Sequence, residues 1–413
     1  MKESMNVRMK VRRKNMEVKM RKLFLLMILV LYMVITAFSE ETIQKEFNIG
    51  PGKKLNVNLK TGGSISITGW EKEKIAVTLH FKKSTPGDWD IRFITGNADT
   101  IEIKADYKGG GHSKISFPDF EIQVPTQFNL DLRTMVGNIN IRHVTGEITG
   151  KTMSGPLDLT YLKGFIDFKT LSGDIILKDS NIDGKLKTMA GRVLFENVKG
   201  DIKGSSMGGN VIYKNVRPRE KGAEKLDLTS ENSKKNSKEN SKMVKFSTMG
   251  GDINVSDAPD GADVDTMGGN IHIKSAGNYV KAKTMGGNII VDSIDGGIEA
   301  TTRGGNMMIT MTGNPQKGDR QVKLTSMGGD VTLIVPEGLS MDVDIDLVYT
   351  QKAKKDYNIV SDFQLKIEKT NSWDESNGTG KKYIYGKAQI AGGKNKIKLH
   401  TMNGNIYLKK SKD

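Results

Sequence analysis

Thr248-Met249-Gly250-Gly251-Asp252-Ile253-Asn254-Val255, Thr266-Met267-Gly268-Gly269-Asn270-Ile271-His272-Ile273 and Thr284-Met285-Gly286-Gly287-Asn288-Ile289-Ile290-Val291 are three successive copies of one motif. Written Thr-Met-x-Gly-Asn/Asp-apolar-x-apolar, it begins at Thr134, Thr152, Thr170, Thr188 and Ser206, again at Thr248, Thr266, Thr284 and Thr302, then at Ser326 and Thr401. Seven of the ten intervals are 18 residues, and the others are 42, 24 and 75. A fixed period of this length marks a repeat architecture, in which each unit buries its apolar face against the next. A degenerate further copy reads Thr61-Gly62-Gly63-Ser64-Ile65-Ser66-Ile67.

Each position of the motif has its own physical demand. The fourth is glycine in every copy: Gly137, Gly155, Gly173, Gly191, Gly209, Gly251, Gly269, Gly287, Gly305, Gly329 and Gly404. A glycine fixed in register implies a backbone angle or a close approach that a Cβ would obstruct, at a corner where the chain turns into a strand. The fifth is Asn or Asp except at Pro156 and Arg192, and stacked amides there can form ladders. The sixth and eighth are apolar throughout, as in Ile139/Ile141 and Ile271/Ile273, a period of two that points both inward. A second short strand follows in each unit, as at Gly146-Glu147-Ile148 and Gly200-Asp201-Ile202. The second position is Met in nine copies. An apolar residue at fixed register is read as an inward column filling the core beside the glycine corner, rather than as an adaptable binding face.

The expected fold is therefore all-β: a parallel β-solenoid (β-helix) of 18-residue coils, with strand-rich capping segments at both ends. The division is 1–39 signal peptide, 40–133 N-terminal strand-rich segment and cap, 134–216 coils, 217–242 flexible charged insertion, 243–335 coils, and 336–413 C-terminal strand-rich segment and last coil. The caps rest on alternating runs such as Leu55-Asn56-Val57-Asn58-Leu59 and Met341-Asp342-Val343-Asp344-Ile345, which would cover edges that otherwise template aggregation. The insertion carries eight Lys/Arg and five Asp/Glu and too little apolar surface to fold.

Composition agrees with many tight turns: 46 glycines and 9 prolines in 413 residues, without a collagen period. Residues 23–38 form an apolar run behind Met20-Arg21-Lys22 and before Ala37-Phe38-Ser39, the pattern of a secretory signal, or of an uncleaved anchor if it is retained. Translation can begin at Met1 or Met20. The chain is expected to be exported, to the periplasm, the cell surface or the medium. It has no cysteine, so neither lipidation nor disulfides support it. The net charge of +15 falls to about +8 once residues 1–39 are set aside, a modest basic excess compatible with anionic wall polymers and equally with mere solubility.

Phe47-Asn48-Ile49-Gly50-Pro51-Gly52, Leu55-Asn56-Val57 and Gly63-Ser64-Ile65-Ser66-Ile67-Thr68-Gly69-Trp70, followed by coils of Thr-x-x-Gly-Asp/Asn-Ile, resemble the bacterial putative-adhesin domain family. The resemblance runs from about Glu46 to Leu408 and is carried by structural motifs. It implies a β-helical domain of unknown function on exported or envelope-associated proteins, and brings no catalytic residues. The charged insertion departs from that pattern.

Chemistry is sparse. A polysaccharide lyase or hydrolase on such a scaffold needs convergent carboxylates. Asp158 and Asp167 are the candidates, but their neighbours in register read Asn140, Ile176, Thr149 and Lys185. The histidines His80, His112, His143, His272 and His400 fall mostly at different repeat positions. The calcium roll requires Gly-Gly-x-Gly-x-Asp every nine residues, which is not the period here. No cofactor, metal or catalytic group is expected, and nothing supports nucleic-acid binding. The reading is a non-enzymatic envelope protein for binding, adhesion or scaffolding, whose partner is a cell-wall or host glycan, a surface protein or an anionic envelope polymer. The alternatives are a carbohydrate-active enzyme on a β-helix and an envelope-stress sensor. The candidate surface contact is a stripe of Lys151, Lys169 and Lys187, which the solvated face of a coil would equally explain.

Overall fold

The computed structural model describes residues 41–82, 84–96, 99–109, 116–217, 243–353, 355–376 and 378–411, together with Met20 alone. The apolar run at 23–38 and insertion residues 218–242 lie outside the described residues. Among the described residues, 31 strands join into one hydrogen-bonded, mostly parallel network, interrupted by short 3-10 turns at Pro86–Asp88 and Gln351–Ala353.

The repeat period is the pairing register. Ile139 pairs with Leu157, Leu157 with Ile175, Ile175 with Val193 and Val193 with Val211, each parallel and 18 residues on. A second stack runs beside the first: Thr134 pairs with Thr152, Thr152 with Thr170, and Thr248 with Thr266. The irregular intervals leave the stacking intact. Ser206 pairs with Thr248 and Val211 with Ile253 across the 42-residue interval. Ile298 pairs with Val322 across 24 residues, and Val331 with Ile406 across 75. Extra chain therefore leaves between strands and returns to the same place, as expected where loop length costs little. The degenerate copy joins too, since Ile65 pairs with Ile139.

Burial follows the period of two. The sixth and eighth motif positions are fully buried from Ile139 and Ile141 to Ile406 and Leu408, and they meet the inward residues of the second stack in one continuous core. Volumes compensate between units: a Cβ on Gly150 would lie 2.4 Å from Phe168 Cζ, so the large ring fills the space the glycine leaves.

The corner explains the motif. A Cβ on any of the eleven fourth-position glycines would lie 1.9–2.3 Å from the carbonyl oxygen of the equivalent glycine one unit before, well inside contact distance. Only Gly137, Gly155 and Gly173 also have positive φ, so for the rest the requirement is close approach rather than left-handed geometry. The buried first-position hydroxyl serves this corner. Thr284 Oγ1 donates to the Gly269 carbonyl at 2.9 Å and accepts from the Gly287 amide at 3.2 Å. Ser206, Thr248, Thr266, Thr302 and Ser326 repeat the arrangement. The fifth position binds the units from outside. Asn270 Oδ1 accepts from the Asn288 amide, and Asn288 Oδ1 from the Asn306 amide, at 2.9 and 2.8 Å.

Antiparallel pairing is confined to the flanks: Glu41–Asn48 with Lys74–Phe81, Lys74–Phe81 with Asp119–Pro125, and Trp89–Thr95 with Thr100–Tyr107 at one end; Met341–Thr350 and Lys366–Lys369 with Lys381–Ile390 at the other. Reversed strands terminate a parallel stack because the next parallel position then has no free, matching edge.

Neighbouring glycines provide the test. Gly269→Ala should destabilise by about 1–3 kcal/mol through forced separation of the units. Gly268→Ala, whose Cβ would be 3.7 Å from its nearest neighbour, should stay within about 0.5 kcal/mol of wild type. Urea midpoints compare the two, and equal losses would refute the close-approach account.

Candidate functional site

The strands of the second stack carry the outward columns of interest. Alternation places the residue before the buried first-position Thr outside, and the residue after it outside again. The register sets Arg133, Lys151, Lys169 and Lys187 side by side in one exposed column. Farther along, the same column reads Ser205, Ser247, Asp265, Lys283, Thr301, Thr325 and His400. Basic character is thus concentrated in four consecutive units. Asp265 is the one carboxylate among these repeat positions, and burial holds its carboxyl above the usual range against the opposing pull of Lys283.

The methionine column differs from the sequence expectation. Met135, Met153, Met189, Met207, Met249, Met267, Met285 and Met327 are 41–50% exposed, with Leu171 at 44% in the same line, so they do not fill the core. Strand parity is the reason. The first position must point inward for its hydroxyl to reach the corner carbonyl and amide, which turns the second outward. The column is a ladder in the strict sense: the Met249 amide donates to the Met207 carbonyl at 3.2 Å, Met267 to Met249 at 3.1 Å and Met285 to Met267 at 3.1 Å. Arg303 continues it after Met285.

A third column went unread in the sequence. His143, Tyr161, Asp179, Asn197 and Asn215 recur at 18-residue spacing, all with φ between 46 and 58°. His143 and Tyr161 stack at 4.8 Å with ring planes 12° apart, and amides from Asn197 and Asn215 donate to Asp179 Oδ1 and Asn197 Oδ1, both at 2.9 Å. With Lys163, Asn181 and Lys199, the first four of them, His143, Tyr161, Asp179 and Asn197, border an open groove of about 560 Å³. The spaced Asp179, Asn197 and Asn215 were the available signal, since Asp and Asn tolerate left-handed geometry.

A second hollow, of about 660 Å³, lies between Tyr279, Glu299, Lys317, Lys323 and Lys398. The Lys323 ammonium holds Glu299 below the usual carboxylate range. Beside it, the fully buried Arg320 donates to the carbonyls of Thr312, Lys317 and Asn314 and pairs with Asp295. This anchors the six residues by which the unit beginning at Thr302 exceeds the period, and leaves the guanidinium no reach to a ligand.

The carboxylates considered for hydrolysis are kept apart. Asp158 lies in the first stack between Asn140 and Ile176, whereas Asp167 lies in the second between Thr149 and Lys185 and is ion-paired to Lys185 at 2.9 Å. His272 and His400 face Asp292 and Asp346 at separate places, and His112 lies outside the described residues. Among the described residues no group of three or more His, Cys, Asp or Glu could hold a metal ion, and no helix is long and apolar enough to cross a membrane.

These features define an all-β repeat protein whose surface is organised in columns. No family model and no curated protein sequence matches the chain. Among solved structures, a putative adhesin from Parabacteroides merdae ATCC 43184 is similar at 11% identity and TM-score 0.37, over 66% of this chain and 97% of that one. A putative adhesin from Parabacteroides distasonis ATCC 8503 matches at 12% identity and TM-score 0.36, over 70% and 98%. A putative cell adhesion protein from Clostridium sporogenes ATCC 15579 matches at 10% identity and TM-score 0.22, over 90% and 100%.

Peroxide distinguishes exposed from buried thioethers. Peptide mapping after brief oxidation should find sulfoxide first at the exposed Met308 and at the ladder's Met135, Met153, Met189, Met207, Met249, Met267, Met285 and Met327. Met307, Met311 and Met341, at most 1% exposed, should oxidise only on unfolding. Equal rates would contradict the ladder's outward orientation.

Proposed function

We propose that the chain is an exported cell-envelope protein, a β-solenoid of 18-residue coils that acts without catalysis in binding, adhesion or scaffolding, and that it engages an anionic polymer or surface of the envelope. The observation that carries this reading is the column Arg133, Lys151, Lys169 and Lys187. Parallel stacking repeats a cation about every 4.8 Å along a straight line. A polyanion laid along the column meets the charges together, and its bound counterions are released together, so weak single contacts add. The same column lacks carboxylates in these units, and of its four cations Arg133 is ion-paired sideways, to Asp131 at 3.0 Å.

What supports a non-catalytic role is the separation of Asp158 from Asp167 and the engagement of Asp167 by Lys185. General acid–base hydrolysis needs paired groups facing one bond. Export rests on the basic-apolar-small pattern of residues 1–39.

Binding of the protein to isolated wall material should weaken as salt rises from about 0.05 to 0.5 M, because the Debye length falls below the spacing of exposed charges. Lys151→Glu, Lys169→Glu and Lys187→Glu together should abolish most of the binding while changing the melting temperature little, as exposed charges contribute about 0–1 kcal/mol each. Salt-independent binding that survives the triple substitution would eliminate the basic column, and polysaccharide turnover by the same preparation would overturn the non-catalytic reading.

A further inference from the structure

The copies of the motif within this one chain compare what each position requires. The buried sixth position varies among Ile, Leu, Val and Met, and the buried eighth among Ile, Leu, Val, Phe and Tyr. Burial thus asks only for apolar volume. The exposed second position holds Met in nine of eleven copies. An apolar surface could be built as well from Leu, Ile or Val, which the interior uses freely. What methionine adds is a flexible thioether, a soft ligand.

The ladder brings those thioethers within reach of one another. Amide-to-carbonyl bonds of 3.1–3.2 Å join Met207, Met249, Met267 and Met285 in line, which sets successive Cα atoms one strand spacing apart, about 4.8 Å. Three rotatable side-chain bonds let neighbouring Sδ atoms close to about 4 Å, the separation at which both can bind one ion with metal–sulfur bonds of about 2.3 Å. Gly208, Gly250, Gly268 and Gly286 follow each Met and leave its approach open on that side.

Charge selects one stretch of the ladder. Beside Met135, Met153 and Met189 stand Arg133, Lys151 and Lys187, which repel a cation. Beside Met207, Met249 and Met267 stand Ser205, Ser247 and Asp265, the column's single carboxylate among the repeats, whereas Met285 has Lys283 beside it and Arg303 next in the ladder and so falls outside the favoured stretch. We infer that Met207, Met249 and Met267 form a soft-metal site for a monovalent thiophilic cation, Cu(I) or Ag(I), bound between neighbouring thioethers, with Asp265 offsetting its charge. The site is independent of the basic column proposed for polymer binding, and lies on different units. Hard divalent ions are not its ligands, because thioethers bind them poorly.

The test uses the full chain and Cu(I) supplied as its bicinchoninate complex under ascorbate without oxygen. The protein should withdraw Cu(I) from the chelator, and X-ray absorption should show sulfur neighbours at about 2.3 Å. Changing Met207→Leu, Met249→Leu and Met267→Leu together keeps the ladder apolar, and should weaken uptake about tenfold or more with the melting temperature retained. A control with the buried Met307→Leu and Met311→Leu should bind like wild type, as should the triple Lys→Glu protein. Equal uptake by wild type and the ladder variant, an equal loss in the buried control, or a first shell of nitrogen and oxygen alone would each overturn the assignment.

Discussion

Everything in this protein depends on how closely one repeat approaches the next at the glycine corner. There the carbonyl oxygen of one glycine occupies the place where the following glycine would carry its Cβ. No side chain fits, so the position is fixed, and the flanking residues are fixed with it. The buried Thr or Ser hydroxyl binds the corner's carbonyl and amide groups, which water cannot reach. The Asn or Asp one residue on binds the amide of the next unit from outside. Three short polar devices therefore hold two apolar strand stacks in register, and the core between them needs only suitable volume.

Exact register has a consequence on the surface. In a globular domain neighbouring outward residues come from unrelated parts of the sequence. Here each outward position faces copies of itself, so whatever chemistry one motif position carries is laid out as a line. Cations form a basic column over four units, methionines an apolar, sulfur-rich ladder, and left-handed His, Tyr, Asp and Asn a third column bordering a groove. Such lines suit extended or repetitive ligands better than a small substrate enclosed on all sides. The separated carboxylates are consistent with that view.

The interruptions illustrate the same constraint. Chain may be added wherever it leaves and re-enters without disturbing the corner, which is why Val211 still meets Ile253 and Val331 still meets Ile406. Where a lengthened unit stays close to the body it needs an internal anchor. The buried Arg320, bonded to three carbonyls and to Asp295, supplies it.

The sequence by itself determined the period, the glycine register, the inward pair at positions six and eight, the lysine alignment and the interruption points. Each is a distance along the chain, and parallel stacking converts such distances directly into neighbours. What it misplaced was the side on which the second position lies. Met135 through Met327 read as core because apolar residues at fixed register usually are, yet the Thr before each of them had to turn inward to satisfy buried backbone groups. That demand appears only when the preceding unit is in place. The left-handed column at His143 and Tyr161 escaped notice for a related reason, since its two aromatic members become equivalent to Asp179 and Asn197 only once all share one backbone conformation. Composition and spacing identify which residues recur; contact with the neighbouring unit decides which way they face, and therefore what the protein can touch.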